Sequence, residues 1–306
     1  MQMSQRTLFV FVESPNIDRY FYSIIVDSVC QREGITYEVV AAKELSGGDG
    51  GKQILLSFFD YPKSRSSLID RFRDKTTLSA FFLDKDVDDY QRTKRRSAHI
   101  MYTETYEVEN YLFMYGDLCQ AVGASASLDI ASVHTHIGDY TEWRRQAASN
   151  WKDWVKLCLF STARKVASSC NYGQYMSPIN QGCYGALLTN ECDHKLATIQ
   201  SQSGMPPDRF KRSFKRLSCQ VDRLYETDRY DIVFKGRWYI PFLLEDMSRI
   251  AGSKRYNRTG IKERLLSCLA SSLNFSDAWA EVFREPLQRL ITLGIREVRE
   301  KPWVSR

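Results

Sequence analysis

The chain has 306 residues, of which 43% are hydrophobic and 26% are charged, a composition typical of a folded globular protein and not of a disordered one. Its formal net charge of +6 favours an anionic partner, because a positive field speeds encounter with phosphates. The eight cysteines form no CxxC pair and no run of about twenty apolar residues is present, so the sequence predicts a cytoplasmic protein with reduced thiols and no membrane span.

The first third of the chain alternates between strand-like and helix-like segments. In chain order the predicted elements are a strand at 7–14, a helix at 16–33, a strand at 36–42, helices at 52–62 and 66–75, and strands at 78–84 and 98–104. Gly34 is the expected stop of the first helix, and Pro62 is the expected end of the second. Strands that alternate with helices predict an α/β fold, with a mainly parallel sheet flanked by helices.

Beyond the first third, long helical patterns replace the alternation. The segments 141–169 and 275–298 are examples, and almost no β-rich runs separate them. We therefore predict two domains, an α/β catalytic domain over 1–122 and a mostly helical domain over 123–306. We expect the second domain to serve substrate or partner binding and dimerisation.

Acidic side chains follow several of the predicted strands. Glu13 closes the first strand, Asp84 and Asp86 close the strand at 78–84, and Glu107 and Glu109 follow the last one. Ligand sites in parallel sheets lie at the carboxyl ends of the strands, so we expect these acids to share one rim. Clustered carboxylates repel one another unless a cation neutralises them, and hard oxygen ligands suit Mg²⁺ or Mn²⁺.

Other interpretations of the acids remain open. Asp is common after strands and at helix N-termini for local hydrogen bonding, and we assign Asp60, Asp88 and Asp89 to that role. Calcium-loop spacing fails, because the sixth and twelfth places counted from Asp84 hold Asp89 and Arg95 instead of Gly and Glu. The DxD after an apolar strand also fits loosely a haloacid-dehalogenase-type phosphatase, in which the first Asp is the nucleophile.

Three segments together resemble a known catalytic domain. They are VFVES with the following Asp18, FFLDKD over 81–86, and TETYEVENYL over 103–112. The set resembles the Toprim domain, and most closely the nuclease subunits of PARIS anti-phage systems, which are distant relatives of the OLD-family nucleases. The likeness covers about residues 7–115. It departs from the family pattern after the first Glu, where Ser14 and Pro15 replace the usual Gly.

The resemblance implies a function and a set of roles. It implies a divalent-metal-dependent nuclease that is the toxic effector of an anti-phage system. Such a nuclease would cleave RNA, with tRNA as the expected substrate, when an ABC-type ATPase partner releases it as a homodimer. The metal ligands it implies are Glu13, Asp18, Asp84, Asp86, Glu107 and Glu109. Of these, Glu13, Asp84, Asp86 and Glu109 are the expected catalytic acids, and Lys235 is the expected cation opposite the scissile phosphate.

Two basic stretches are candidate nucleic-acid contacts. The first directly follows the DxD loop, and the second lies on a predicted helix; their members are Arg92, Lys94, Arg95 and Arg96, and Lys211, Arg212, Lys215 and Arg216. Phosphate backbones reward such a density of positive charge. The same charges would also suit a solvated helix face. Two rival functions therefore stay open: a haloacid-dehalogenase-like phosphatase, and a non-catalytic module that binds nucleic acid or a partner.

Overall fold

The computed structural model describes residues 6–48, 50–72, 75–182, 184–252 and 259–300. The strands within these ranges are β1 (Arg6–Val12), β2 (Thr36–Ala41), β3 (Ile69–Phe72), β4 (Lys75–Leu83) and β5 (Ile100–Tyr102). The α-helices are α1 (Ile17–Glu33), α2 (Ala42–Ser46), α3 (Lys52–Ser64), α4 (Asp88–Gln91), α5 (Val108–Tyr115), α6 (Leu118–Ala126), α7 (Ile130–Ile137), α8 (Tyr140–Asn150), α9 (Lys152–Ala163), α10 (Thr189–Gln202), α11 (Pro207–Glu226), α12 (Tyr239–Ala251), α13 (Ile261–Ser272) and α14 (Glu281–Glu300). The α/β fold class predicted from the sequence is confirmed.

The chain divides into two compact units, each built from separate stretches of sequence. The first unit comprises 1–84, 95–104 and 274–306, and the second comprises 85–94 and 105–273. The predicted boundary lies after residue 122, whereas the chain first passes from one unit to the other after Asp84, within the DxD motif. The C-terminal helix α14 belongs to the first unit, with the sheet, and not to the helical one.

The first unit is a sheet with helices on both faces. β1 pairs in parallel with β2 and β4, and β4 pairs in parallel with β5 and antiparallel with β3. Successive side chains of a strand point to opposite faces. Accordingly Phe81 packs against Phe59 of α3, with ring centroids 5.2 Å apart, while Phe82 packs against Tyr22 of α1 at 4.5 Å and Phe283 of α14 at 6.3 Å.

Two local predictions for this unit are wrong. The segment 66–75 was expected to be a helix, but it contains the strand β3, whose Ile69 is paired with Leu78 of β4. A helix of about ten residues is marginal without packing, and pairing with β4 satisfies the backbone of this segment instead. Pro62 does not end α3, which continues to Ser64. Because Pro62 lies in the last turn, its missing N–H removes little from the helical hydrogen bonding.

The second unit is helical, with an aromatic core. Trp151 lies 5.5 Å from Trp238 and 5.2 Å from Phe242, and Phe113 lies 5.0 Å from Tyr239, measured between ring centroids. These rings bury large apolar areas, so they fix α5 and the junction between α8 and α9 against α12. Within the part of the chain that the structure describes, no helix has the length and apolar character needed to cross a bilayer.

Candidate functional site

Glu13 and Asp84 meet at one edge of the sheet in the first unit. The neighbouring parallel strands β1 and β4 end at Val12 and Leu83, so the next residue of each chain segment emerges at the same edge. The backbone N of Asp84 donates a hydrogen bond of 2.8 Å to Oε1 of Glu13. Both side chains are half-buried. The expected proximity of these two acids is therefore present, although they are 71 positions apart in sequence.

Asp18 has a local structural role in the same unit. It lies in the first turn of α1 and is 3% exposed. Its Oδ2 accepts a hydrogen bond of 2.8 Å from the backbone N of Ser14. A carboxylate in this position satisfies a free backbone donor and favours the helix start. Asp18 thereby fixes the turn that follows Glu13, and its predicted role as a metal ligand stays a prediction.

Asp86 follows Asp84 by two residues and belongs to the second unit. Its φ is +50°, in the left-handed region that Asp tolerates better than most residues. Its backbone N donates to the carbonyl oxygen of Tyr106 over 2.8 Å, and the N of Tyr106 donates to the carbonyl of Asp231 over 2.8 Å. The loop after β4 is thus tied to the segment that precedes α5.

Glu107 and Glu109 form a buried acidic pair at the start of α5. They are 2% and 3% exposed, and a single residue, Arg237, contacts both. Its backbone N donates to Oε1 of Glu107 over 2.7 Å, and its Nε donates to Oε1 of Glu109 over 2.6 Å. One guanidinium faces two carboxylates, and the buried Oε2 of Glu109 is an acceptor without a hydrogen-bond partner among the described residues.

Lys235 lies close to this pair. Its Nζ donates to the carbonyl oxygen of Tyr172 over 3.1 Å, and its positive charge acts to lower the pKa of Glu107. The structure therefore places the predicted late lysine near the predicted acids of the second unit. Its role opposite a scissile phosphate stays a prediction.

Asn110 connects the acidic pair to the segment that carries Arg237. It is fully buried, and its Oδ1 accepts from the backbone N of Glu107 and of Gly236, each over 3.1 Å. Its Nδ2 donates to Oδ1 of Asp231 over 2.8 Å and to the carbonyl of Phe234 over 2.9 Å. Sequence reasoning missed this residue, although the element TETYEVENYL that contains it had been singled out.

Gly236 is needed because two backbone segments approach each other closely. A Cβ at this position would lie 2.4 Å from the backbone N of Asn110 and 2.7 Å from the carbonyl carbon of Glu109. Any side chain there would push the segment carrying Arg237 away from α5. Gly236 stands next to Lys235 in the sequence, and a glycine outside a turn can indicate a close approach between two backbone segments.

The pKa of Glu107 is raised to about 8, first by burial and then by the negative charge of Glu109, and the positive charges of Arg237 and Lys235 offset part of this rise. Glu107 thus keeps its proton in the folded chain at pH values where the unfolded chain has lost it. The contribution of this proton to the free energy of unfolding is fully present below the ordinary pKa of 4.5. It is lost as the pH rises through about 8.

We therefore expect the free energy of unfolding to fall between these two pH values, and we expect Glu107→Gln, which cannot ionise, to give a shallower fall. Urea denaturation across this range, with EDTA present, measures the effect. An unchanged slope in the Gln variant would show that Glu107 does not titrate in this window.

The acidic side chains of both units can be compared with the ligands that a divalent metal ion requires. Within the described ranges, no three His, Cys, Asp or Glu side chains are grouped so as to hold a metal ion. Mg²⁺, however, commonly uses one or two carboxylates and keeps several waters or substrate phosphates as its other ligands. Glu13 and Asp84, half-buried at the sheet edge, are two carboxylates that could hold such an ion. The unpartnered Oε2 of Glu109 fits a cation ligand in the second unit.

The predicted nucleic-acid contacts differ in how their charges are balanced. In the first unit Arg95 forms an ion pair of 2.5 Å with Asp60, and in the second unit Lys94 lies 3.8 Å from Asp89. Exposed side chains complete the predicted set: Arg92, Arg96, Lys211, Arg212, Lys215 and Arg216. The last four lie on α11. The roles of all eight in nucleic-acid binding stay predictions.

Comparison of the chain with protein-family models, with curated proteins and with solved structures finds no match in any of the three.

Proposed function

We propose that this protein is a divalent-metal-dependent nuclease that cleaves RNA. The proposal is supported above all by the contact between Glu13 and the backbone of Asp84, because it brings two acids from distant segments to the edge of the sheet where ligands bind. The two rival functions are a phosphatase with Asp84 as nucleophile and a non-catalytic binding module, and the experiment must separate them from a nuclease.

Glu13 and Asp84 are the residues that would hold Mg²⁺ or Mn²⁺. A bound ion would offset negative charge on a phosphodiester and lower the pKa of an attacking water or hydroxyl. The backbone of Asp84 positions the carboxylate of Glu13 through its 2.8 Å hydrogen bond. Asp18 orders the turn beside it. The chain thereby presents fixed carboxylate oxygens, and such preorganisation avoids a cost of rearrangement during the reaction.

The biological setting of the proposal comes from the resemblance to PARIS nuclease subunits. In that setting the protein is a toxic effector of anti-phage defence, tRNA is its substrate, an ABC-type ATPase partner keeps it silent, and a homodimer is the active form. The net charge of +6 is in keeping with an RNA substrate.

The proposal is tested by incubating the purified protein with labelled cellular tRNA in Mg²⁺, in Mn²⁺ or in EDTA, and mapping the RNA ends that appear. We expect new ends with either metal and none in EDTA. A parallel reaction with a small phosphate monoester separates nuclease from phosphatase. Release of inorganic phosphate from the ester, without new RNA ends, would replace the nuclease by a phosphatase.

A further inference from the structure

The second unit contains a pocket of about 840 Å³, and neither Glu13 nor Asp84 lines it. The end of α4, the end of α9 and one face of α11 form its walls. Its lining includes five arginines: Arg92, Arg164, Arg216, Arg223 and Arg229. Arg92 and Arg216 are among the candidate contacts selected from the sequence. The fold adds Arg164 from the end of α9, together with Arg223 near the end of α11 and Arg229 just after it.

The positive charge of this arginine pocket is largely uncompensated. All five arginines are exposed, and none of them forms an ion pair with any residue that the structure describes. Arg164 donates to Oγ of Ser213 over 2.8 Å, a neutral partner. The acid in the lining, Asp89, lies 3.8 Å from Lys94. Five like charges around one concave surface attract anions and concentrate counterions that a bound anion would release.

The spacing along α11 indicates the shape of the ligand. Ser213, Arg216, Gln220, Arg223 and Thr227 all line the pocket, and intervals of three and four residues place them on one face of the helix. Arg216 and Arg223 are two turns apart, which is roughly 10 Å along the helix axis. Basic side chains spread over two turns of helix, together with Arg92, Arg164 and Arg229, can contact several anionic groups at once. A ligand with anionic groups at intervals suits this arrangement better than a single phosphate does.

We propose that the arginine pocket binds the backbone of a single nucleic-acid strand through at least two of its phosphates. Guanidinium groups match phosphate oxygens with paired hydrogen bonds, and the pocket volume lies in the range of sites that enclose a small ligand, which suits a few nucleotides and not a duplex. The assignment of this strand as substrate rests on the proposed nuclease function, whereas the binding itself does not depend on Glu13 or Asp84.

The test compares two double variants of the full-length protein in EDTA, so that no metal-dependent cleavage occurs. Arg216→Gln with Arg223→Gln removes two charges from the pocket. Arg32→Gln with Arg65→Gln removes two exposed arginines that do not line it. Binding of a fluorescent single-stranded RNA of about twelve nucleotides is followed by anisotropy over a series of salt concentrations. Circular dichroism and thermal melting verify that each variant folds like the wild type.

We expect the pocket variant to bind the RNA about tenfold more weakly near physiological salt, and its log–log salt slope to be shallower by about 1.4, because each single-strand phosphate contact contributes about 0.7 to the slope. The control variant should bind like the wild type. Equal affinity in all three proteins, or an equal loss in both variants, would overturn the proposal. Displacement of the RNA by AMP as effectively as by unlabelled RNA would also overturn it, because that result identifies a single-phosphate site.

Failure of the proposed function gives a different result. Suppose that the Glu13→Gln variant binds RNA normally through the pocket arginines, while the wild type never cleaves RNA in Mg²⁺. The proposed nuclease function is then wrong, and the proposed RNA binding by the pocket is supported. If instead the wild type cleaves RNA and the pocket variant binds RNA unchanged, the nuclease function is supported and the binding role of the pocket is wrong.

Discussion

Glu13→Gln and Asp84→Asn should each reduce metal-dependent RNA cleavage by about a thousandfold or more. Both changes keep the size of the side chain and remove its charge, and Gln retains the oxygen that accepts from the backbone of Asp84. Loss of a metal ligand removes several kcal/mol of charge stabilisation in the transition state, and each 1.4 kcal/mol is about tenfold in rate. Single-turnover cleavage of labelled RNA in Mg²⁺ measures the loss.

A matched control separates this effect from folding. Asp70→Asn changes an exposed acid of β3 in the same unit and should cleave RNA like the wild type. All three variants should melt at nearly the wild-type temperature, since the substituted groups are exposed or half-buried. Wild-type cleavage rates in both site variants would show that these two acids take no part in the chemistry.

Asn110→Ala should cost roughly 3 to 5 kcal/mol of unfolding free energy. The substitution leaves the backbone N of Glu107, the backbone N of Gly236 and the carbonyl of Phe234 without the partner that Asn110 provides. Each buried polar group that loses its hydrogen bond costs about 1 to 3 kcal/mol. Equilibrium denaturation in urea measures the change.

The control for this prediction is Asn190→Ala, at an exposed position in the first turn of α10. We expect it to change stability by about 0.5 kcal/mol or less. A loss of similar size in both variants would mean that the hydrogen bonds of Asn110 have no special importance. A loss confined to Asn110→Ala would show that this residue holds the segment carrying Arg237 against α5.

Sequence periodicity predicts those helices and strands whose conformation is determined by their own residues. β1, α1, β2 and β4 have strong apolar patterns and clear stops, and the structure contains all four close to the predicted positions. β3 has no such pattern, because its conformation depends on pairing with β4. The membership of α14 in the first unit is likewise a property of packing, here of Phe283 against Phe82, which no local signal encodes.

The candidate site shows the same contrast. The approach of Glu13 and Asp84 could be predicted because adjacent parallel strands end at the same edge. The contacts of Arg237 with Glu107 and Glu109 join positions 130 and 128 apart in sequence. No sequence pattern around Arg237 predicts these contacts. The arginine pocket depends equally on tertiary structure, since it brings arginines at the ends of α4 and α9 together with those of α11 and the segment after it.

Binding of Mn²⁺ to the purified protein tests the central claim most directly, because it asks for the metal without requiring the correct RNA substrate. Free Mn²⁺ is measured by electron paramagnetic resonance during titration of the wild type, of the Glu13→Gln, Asp84→Asn double variant and of the Asp70→Asn control. The account predicts saturable binding to the wild type and the control, and its loss in the double variant. Equal Mn²⁺ binding by all three proteins, or none by the wild type, would contradict it.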